Sequence, residues 1–309
     1  GNIGGGGFMV MFDKETAEAY SIDYREKAPL DASRDMFLDP EGNLTNKSVV
    51  GHLAAGVPGT VSGMAAAHDR YGTLPWADLV QPAVELAEGF EVKERFLGSL
   101  SETMVEALTA YPASASQFLP RNGAPPVVGD TLRQLDLAST LNRIRDEGPD
   151  GFYTGQTADL IVAEMERGGG IMTHQDLQSY EAAWRDPISF SYREHTIISM
   201  PPSSSGGATM AEIANILEGY DLGGMSWHSA EQIHLFAEAA RRAYADRNHY
   251  LADPDFVEMP LERMTSSSYA SERAATISTS AATPSVSYTH LRAHETREDR
   301  GWRGGGEKK

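Results

Sequence analysis

GNIGGGGFMVMFDKETAEAYSIDYREKAP, the segment from Gly1 to Pro29, combines a glycine run, an apolar run, a polar turn and an alternating run. Residues 8–12 (FMVMF) carry no polar side chain, which is typical of a strand buried on both faces. Residues 13–16 (DKET) are polar and few enough to form a hairpin turn. The segment therefore predicts a β-hairpin whose first strand is buried on both faces.

The second strand of this hairpin alternates in character, so its side chains divide between two faces. One face, expected to enter the core, has Tyr20, Ile22 and Tyr24, and the opposite face has Ala19, Ser21, Asp23 and Arg25. Pro29 stops the strand soon after Arg25. An arginine fixed at the end of a strand presents a rigid fork of donors that matches a carboxylate. Residue type alone favours another interpretation, an exposed ion pair of Arg25 with Glu26 or Asp23.

The glycine run is not a nucleotide-binding motif. G-x-G-x-x-G requires a glycine five positions after its first, but Met9 follows Gly4 and Val10 follows Gly5 at that spacing. Phe8 stands where a P-loop would need lysine. The run instead predicts tight turns and close backbone packing.

A collinear set of motifs covers residues 1 to 275. The motifs are GNIGGGGFMV, IDYREKAP, GHLAAGVPGTVSGM, YGTLPWADLVQPAVELAEGF, GPDGFYTG, GGGIMTHQDLQSYEA, MPPSSSGG and AYADRNHYLADPDF. Together they resemble the large subunit of the gamma-glutamyltransferases, also called glutathione hydrolases. In that family the arginine of the I-D-F/Y-R-E-x-A-P segment binds the α-carboxylate of the γ-glutamyl donor. The resemblance therefore implies that Arg25 is a substrate-binding residue.

The resemblance also implies a fold and a reaction. The fold is α+β, the αββα sandwich of the N-terminal nucleophile hydrolases, here incomplete because the small subunit is absent. In the family a precursor cleaves itself to expose a threonine, which attacks the γ-amide of glutathione or another γ-glutamyl donor and forms an acyl-enzyme. Water then gives hydrolysis, and an amino acid or peptide gives transfer. The implied partner of this chain is its own small subunit, and no cofactor is expected.

No catalytic residue is expected within the chain itself. The family's nucleophile lies in a T-T-H-x-S-V segment, whereas residues 287–292 read SYTHLR. Tyrosine replaces the first threonine and no Ser-Val follows, so Thr289 is not assigned a catalytic role. The chain also ends at Lys309, too soon after this segment for a small subunit.

Composition restricts the classes of partner. The 309-residue chain has a formal net charge of −18, which argues against nucleic acid or an anionic membrane as a partner. It has no cysteine, which excludes disulfides and thiolate metal sites. The spacing of His228, His234 and His249 matches no zinc motif, so no metal site is expected. No apolar run reaches the length of a membrane span.

The two ends of the chain lead to further expectations. The chain begins inside a glycine-rich segment, so we expect the start of the protein, with its export signal, to be missing. By resemblance, the protein is expected to be periplasmic or secreted. Residues 276–309 lack apolar periodicity, and YTHLRAHET resembles translated sequencing-adapter sequence. We therefore expect an N-terminally truncated large-subunit portion at 1–275 and a disordered or non-native tail at 276–309.

Periodicity and capping signals predict most of the remaining elements. Helices are expected over 60–71, 75–88 with a kink at Pro82, 92–110, from Asp130 or Thr131 to 147, 156–167, from the end of 201–207 to 218, and 229–250. The last of these helices is indicated by an apolar stripe at helical spacing, Ile233, Phe236, Ala237, Ala240 and Tyr244. Residues 111–130 are expected to be a loop, 188–192 and 195–200 a second hairpin, and Thr173 with Asp176 a capping box.

Two alternatives to this function remain open. One is a related acylase of the same fold that cleaves cephalosporin-like or other dicarboxylic amides, in which Arg25 would also anchor a carboxylate. The other is a non-enzymatic module that binds an anion or peptide through the glycine-rich N-terminus. The serine- and glycine-rich loop at 201–207 enters a helix and could bind an anion, but capping and turn chemistry is the favoured interpretation.

Overall fold

The computed structural model describes residues 3–284, and the chain divides into two compact units. Of the described residues, unit 1 contains 3–5, Glu26–Asp31 and Lys47–Glu181, and unit 2 contains Gly6–Arg25, Ala32–Asn46 and 182–284. Among the described residues, no helix combines the length and apolar character needed to cross a membrane.

The described residues form seven strands and thirteen α-helices. The strands are β1 Phe8–Asp13, β2 Glu18–Asp23, β3 Phe90–Glu91, β4 Thr131–Leu132, β5 Ala183–Arg185, β6 Ile188–Tyr192 and β7 His195–Ser199. The helices are α1 Thr60–Tyr71, α2 Trp76–Glu88, α3 Glu94–Leu97, α4 Glu102–Thr109, α5 Pro112–Phe118, α6 Leu135–Glu147, α7 Asp150–Tyr153, α8 Gly155–Gly168, α9 His174–Gln178, α10 Gly206–Leu217, α11 Ala230–Tyr250, α12 Leu261–Met264 and α13 Ser267–Ala274.

Unit 1 is helical around one apolar core. Its members come from α1, α2, α6, α7, α8 and α9 and include Val61, Val84, Leu141, Phe152, Val162 and Leu177. The indole N–H of Trp76 donates to the carbonyl of Ile144 at 2.8 Å and ties α2 to α6. The carbonyl of Gly5 accepts the N–H groups of Gly59 and Thr60 at 2.9 and 3.0 Å, so the glycine run supplies an acceptor at the start of α1.

In unit 1 the sequence predicts helices correctly where capping residues mark their ends. It predicts them less well in segments with several prolines. α1 has the predicted bounds, and the capping box of α9 is confirmed, because Thr173 and Asp176 each accept from the other's backbone N–H. The helix expected over 92–110 is instead α3 and α4, and the loop expected over 111–130 contains α5. Pro112 begins α5, where its missing N–H has no helical partner to lose.

Unit 2 contains the predicted N-terminal hairpin, extended to three strands in the order β1-β2-β5. β1 pairs antiparallel with β2 from Phe8↔Asp23 to Asp13↔Glu18. The expected burial of β1 on both faces is wrong, since Val10 is 39% and Phe12 58% exposed. β2 is the strand buried on both faces, because it is central and β1 lies at the edge of the described sheet.

The second hairpin and α10 form the other half of unit 2. β6 and β7 pair from Ile188↔Ser199 to Tyr192↔His195, which confirms the predicted hairpin. Phe190 of β6 packs against Ala211 and Ala214 of α10. α10 also packs against α11, where Ile216 and Leu217 of α10 and Leu235 and Ala239 of α11 share a core cluster.

The apolar stripe of α11 is not the face of the helix that is buried. Ile233, Phe236 and Tyr244 are exposed in the described chain, whereas Glu238 and Arg242 are buried. The buried face carries Leu235, Ala239 and Ala243 together with an ion pair, in which Nη1 of Arg242 donates to Oε2 of Glu238 at 2.8 Å. Charged groups can enter a core when hydrogen bonds and opposite charge compensate for lost water, and apolar periodicity cannot anticipate that.

Residues 276–284 complete this buried pair. Arg242 donates through Nε to Oγ1 of Thr276 at 2.7 Å and through Nη2 to its carbonyl at 2.6 Å. The N–H of Thr283 donates to Oε1 of Glu238 at 3.1 Å, and its hydroxyl donates to Oε2. Burial opposes the charge of Glu238, but the bonds from Thr283 and Arg242 outweigh it and lower its pKa to about 2. The domain boundary at 276 stays a prediction; residues 285–309 and Thr289 lie outside the described residues.

A second buried carboxyl lies between α10, α11 and α13. Glu212 is fully buried, and no donor in the described chain reaches either of its carboxyl oxygens. Nε of Arg273 lies 3.9 Å from Oε1 of Glu212 but 2.9 Å from Oδ2 of Asp246. The hydroxyl of Tyr269 also donates to Oδ2 of Asp246, at 2.9 Å. Burial, followed by hydrogen bonding with Asp246 and its charge, raises the pKa of Glu212 to about 9.

We predict that two truncations of this chain differ in thermal stability. Ending the chain after Pro284 should leave the melting temperature unchanged, because the contacts of Thr276 and Thr283 remain. Ending it after Ala275 leaves Glu238 and Arg242 paired with each other but removes the hydrogen bonds that Thr276 and Thr283 make to them, and a buried polar group left without its hydrogen-bond partner costs about 1–3 kcal/mol. The melting temperature should then fall by at least several degrees. Scanning calorimetry tests both, and equal melting temperatures for the two truncations would contradict this role of 276–284.

We predict that Glu212→Gln changes the pH dependence of stability. The folded-state pKa is raised from the ordinary 4.5, so the folded chain keeps a proton that the unfolded chain releases. Stability of the wild type should therefore fall as pH rises between about 5 and 9. Glutamine keeps the shape without titrating, so the variant should lose less stability between pH 5 and pH 8. Denaturant unfolding at both pH values measures this, with the exposed Glu194→Gln as control; identical slopes for variant and wild type would refute it.

Candidate functional site

Arg25 lies immediately beyond the paired part of the hairpin. The ladder extends one residue past β2, because the N–H of Tyr24 donates to the carbonyl of Gly7 at 3.0 Å and the N–H of Gly7 donates back at 3.2 Å. Tyr24 is buried, and Arg25 is exposed. The side chain of Arg25 is thus presented from the end of a strand anchored in the core.

Gly7 allows this pairing. A Cβ atom at position 7 would lie 2.9 Å from Cε2 of Tyr24, closer than real Cβ contacts. The ring of Tyr24 therefore occupies the space that any other residue at position 7 would fill. The close backbone packing predicted for the glycine run is confirmed at this position.

The backbone of Arg25 is held by the side chain of Asp23, the last residue of β2. The N–H of Arg25 donates to Oδ1 of Asp23 at 3.0 Å. This is an Asx-type bond, in which a carboxylate accepts from the backbone two residues later. Asp23 is only 8% exposed, so the group that holds Arg25 has itself little freedom to move.

The second carboxylate oxygen of Asp23 is the centre of a polar network within unit 2. Oδ2 accepts from Nε of Arg185 at 3.0 Å and from the hydroxyl of Ser203 at 3.2 Å. Nη1 and Nη2 of Arg185 donate to the two oxygens of Asp255, each at 3.0 Å. Hydrogen bonds to Asp255 and then Asp23 outweigh burial and raise the pKa of the Arg185 guanidinium, so Arg185 is charged at every physiological pH.

The serines of the 201–207 loop are engaged within the protein. Ser203 donates to Asp23, Ser204 Oγ accepts the N–H of Gly206 at 3.3 Å, and Ser205 Oγ accepts from Nε of Arg247 at 2.9 Å. Only the Ser204 bond is the turn chemistry that the sequence favours, because Ser203 and Ser205 bind side chains distant in sequence and Ser205 does not cap α10 through its side chain. The Ser203 bond brings the loop into contact with the strand that carries Arg25.

The sequence did not reveal the partners of Asp23. The sequence suggests Asp23 only as an exposed ion-pair partner of Arg25, but Asp23 is buried and its carboxylate pairs with Arg185, 162 positions away. No spacing rule connects positions so far apart. An isolated arginine in the short apolar segment 183–185 was the only available signal, and it did not indicate a partner.

The arrangement is suited to binding rather than to bond cleavage. An exposed guanidinium on a fixed backbone can bind a carboxylate by donating two parallel hydrogen bonds to it. Arg185 has less to offer an anion, since two carboxylates already surround it. The site therefore contains one arginine exposed to solvent and one that belongs to the supporting network.

Comparison with known proteins identifies relatives of this chain. The sequence profile of the family described as gamma-glutamyltranspeptidase matches residues 1–302. The glutathione hydrolase proenzyme of Escherichia coli is 45% identical over 287 residues, which are 92% of this chain and 49% of that protein. The chain thus spans about half the length of the curated relatives it matches.

Solved structures give the same result for the fold. The gamma-glutamyltranspeptidase of Helicobacter pylori superimposes with a TM-score of 0.91 at 42% identity, covering 96% of this chain and 85% of that one. This likeness confirms the predicted fold class, α+β of the N-terminal nucleophile hydrolase type.

Acylases are also among the relatives. The acylase ACY 1 proenzyme of a Pseudomonas strain is 39% identical over 264 residues, covering 83% of this chain and 47% of that protein. Relatives of this sequence therefore include both classes of enzyme that the motifs left open.

Proposed function

Because this chain belongs to the gamma-glutamyltranspeptidase family, we propose that its parent protein cleaves the γ-glutamyl amide of glutathione and related donors. The observation that carries the proposal is the exposed Arg25 of the IDYREKAP motif, with its backbone fixed by Asp23 at the end of β2. Its guanidinium binds the α-carboxylate of the donor, as the family resemblance implies. Because the α-carboxylate is bound, the γ-amide of the donor is held at a defined distance from the guanidinium of Arg25.

The chemistry itself belongs to the remainder of the parent protein. The oxygen of an N-terminal threonine attacks the γ-carbonyl carbon while its own amine takes the hydroxyl proton. The proton passes to the departing amine as the amide bond breaks, leaving a γ-glutamyl ester. Water then releases glutamate, or an amino acid or peptide takes the γ-glutamyl group. Arg25 contributes by orienting the donor for each of these steps.

The partner that we propose for this chain is the second half of the proenzyme. β1 is an apolar strand at the edge of the described sheet, with Val10 and Phe12 exposed. The exposed face of α11, with Ile233, Phe236 and Tyr244, is a second apolar surface. Unpaired apolar edges and patches of this kind favour association with another chain. The coverage of about half of each curated relative supports a missing segment as the occupant.

A dicarboxylic amide acylase is the second candidate function, favoured by the acylase relative. Arg25 would then anchor the distal carboxylate of an acyl side chain. The substrates of the two functions differ in one chemical group, since a γ-glutamyl donor has an α-amino group and a glutaryl donor does not. Comparing kcat/KM for γ-glutamyl and glutaryl anilides with the intact parent distinguishes them. We prefer the γ-glutamyl donor because the I-D-Y-R-E-x-A-P motif is intact.

We also place the parent protein in the periplasm or outside the cell. Family resemblance supports this location, and the absence of cysteine is compatible with it.

We predict that Arg25→Ala in the intact parent raises KM for a γ-glutamyl anilide by tenfold or more. Removing one partner of a buried, hydrogen-bonded charge pair costs about 2–5 kcal/mol, and about 1.4 kcal/mol is a factor of ten. Arg25→Lys should restore affinity only in part, because an ammonium group cannot form the fork. Steady-state kinetics measures this, with the exposed Arg34→Ala as matched control. An unchanged KM for Arg25→Ala would remove Arg25 from the site.

We predict that the chain of residues 1–309, purified alone, does not hydrolyse a chromogenic γ-glutamyl anilide. Arg25 orients a donor, but the reaction also needs a nucleophile, a base and donors aimed at the developing oxyanion. The intact parent, assayed under the same conditions, is the positive control. Turnover by the isolated chain that disappears in a Thr289→Ala variant would contradict the prediction and make Thr289 the nucleophile.

A further inference from the structure

Two arginines are connected through one carboxylate. Oδ1 of Asp23 accepts the backbone N–H of Arg25 at 3.0 Å, and Oδ2 accepts from Nε of Arg185 at 3.0 Å. Asp23 cannot rotate about its χ angles without breaking both bonds. A change at Arg185 is therefore transmitted to the backbone of Arg25 through a single buried side chain.

The strand register explains why Arg185 reaches Asp23. β5 pairs antiparallel with β2, with Arg185 opposite Ser21 and Ala183 opposite Asp23. Residues two apart on a strand share a face, so Arg185 and Asp23 are diagonal neighbours on one face of the sheet. The hydroxyl of Ser21 donates to the carbonyl of Arg185 at 2.6 Å and holds the two strands at this point. The contact follows from the sheet geometry.

Arg185 is not itself suited to receive a substrate carboxylate. Its Nε donates to Asp23, and its Nη1 and Nη2 donate to Asp255 in a bidentate pair. One positive and two negative charges leave a net negative charge around Arg185. An incoming anion would have to displace a carboxylate from Arg185.

We propose that Arg185 is a positioning residue for donor binding, acting through Asp23 on Arg25. The proposal rests on the function proposed above, in which Arg25 holds the α-carboxylate. Without Arg185, the buried charge of Asp23 loses its cation and keeps only Ser203 on Oδ2. Asp23 then reorients toward water and releases the N–H of Arg25. Misplacement of a binding group by about 1 Å can lower the rate by about a hundredfold.

The test uses the intact parent protein and two donors that differ in one group. The first is a γ-glutamyl anilide, and the second is the 4-aminobutyryl anilide, which lacks the α-carboxylate. KM and kcat are measured for Arg185→Gln, Arg25→Ala and the double variant. The matched control is Arg193→Gln, since Arg193 pairs with Glu218 instead.

Arg185→Gln should raise KM for the γ-glutamyl anilide by about tenfold or more and change kcat/KM for the 4-aminobutyryl anilide by less than threefold. In the Arg25→Ala background it should have no further effect on KM, because the residue through which Arg185 acts is gone. Arg185→Lys, which keeps the charge but not the fork, should fall between wild type and Arg185→Gln. Arg193→Gln should behave as wild type.

The proposal would be overturned if Arg185→Gln lowered kcat/KM equally for both donors. It would also be overturned if Arg185→Gln raised KM by the same factor in the Arg25→Ala background as in the wild type, because Arg185 would then have only a structural role. An unchanged KM for Arg25→Ala would overturn the proposed role of Arg25 itself, so the two failures differ. Should Arg185→Gln not accumulate as folded enzyme, Asp255→Asn replaces it, because Asp255 is about half exposed and holds only the far end of Arg185. Asp255→Asn should raise KM a few-fold for the γ-glutamyl anilide but not for the 4-aminobutyryl anilide. An unchanged KM of this variant for the γ-glutamyl anilide would overturn the proposal.

Discussion

The carboxylate of Asp23 is buried at the end of β2, and the groups around it are arranged to compensate for its lost contact with water. Removing an ionised side chain from water costs several kcal/mol unless hydrogen bonds and an opposite charge compensate. Asp23 receives both: the backbone N–H of Arg25 on one oxygen, and Arg185 with Ser203 on the other. The same bonds that compensate the burial also fix the backbone from which Arg25 extends. Stability of the strand end and presentation of the exposed arginine are thus consequences of one interaction.

Local sequence rules predicted the elements better than their environments. The N-terminal hairpin, α1, the second hairpin and the capping box of α9 each depend on residues close in sequence. The burial of β1 and of α11 depends on which other elements lie beside them. β2 became the central strand because β5, more than 150 residues later, pairs with it. α11 buries Glu238 and Arg242, and their hydrogen-bond partners lie in residues 276–284, 34 to 45 positions further along the chain.

The candidate site shows the same division between local and distant information. Family resemblance made Arg25 a candidate, and the two residues before it, Asp23 and Tyr24, hold the strand end from which it extends. The pair of Asp23 and Arg185 required two strands to be in register, which no pattern within residues 1–29 could contain. The sequence left several roles open for the glycines and serines, and the structure shows what two of them contact. Gly7 gives space to the ring of Tyr24, and Ser203 is a donor to Asp23 rather than a nucleophile.

The most direct measurement is a crystal structure of the intact parent protein with bound L-glutamate. We expect the α-carboxylate of glutamate to lie within about 2.7–3.2 Å of the guanidinium nitrogens of Arg25. We also expect Asp23 still to accept the N–H of Arg25 on one oxygen while Arg185 donates to the other. A glutamate whose α-carboxylate is bound by other groups, with Arg25 directed away from it, would contradict the account.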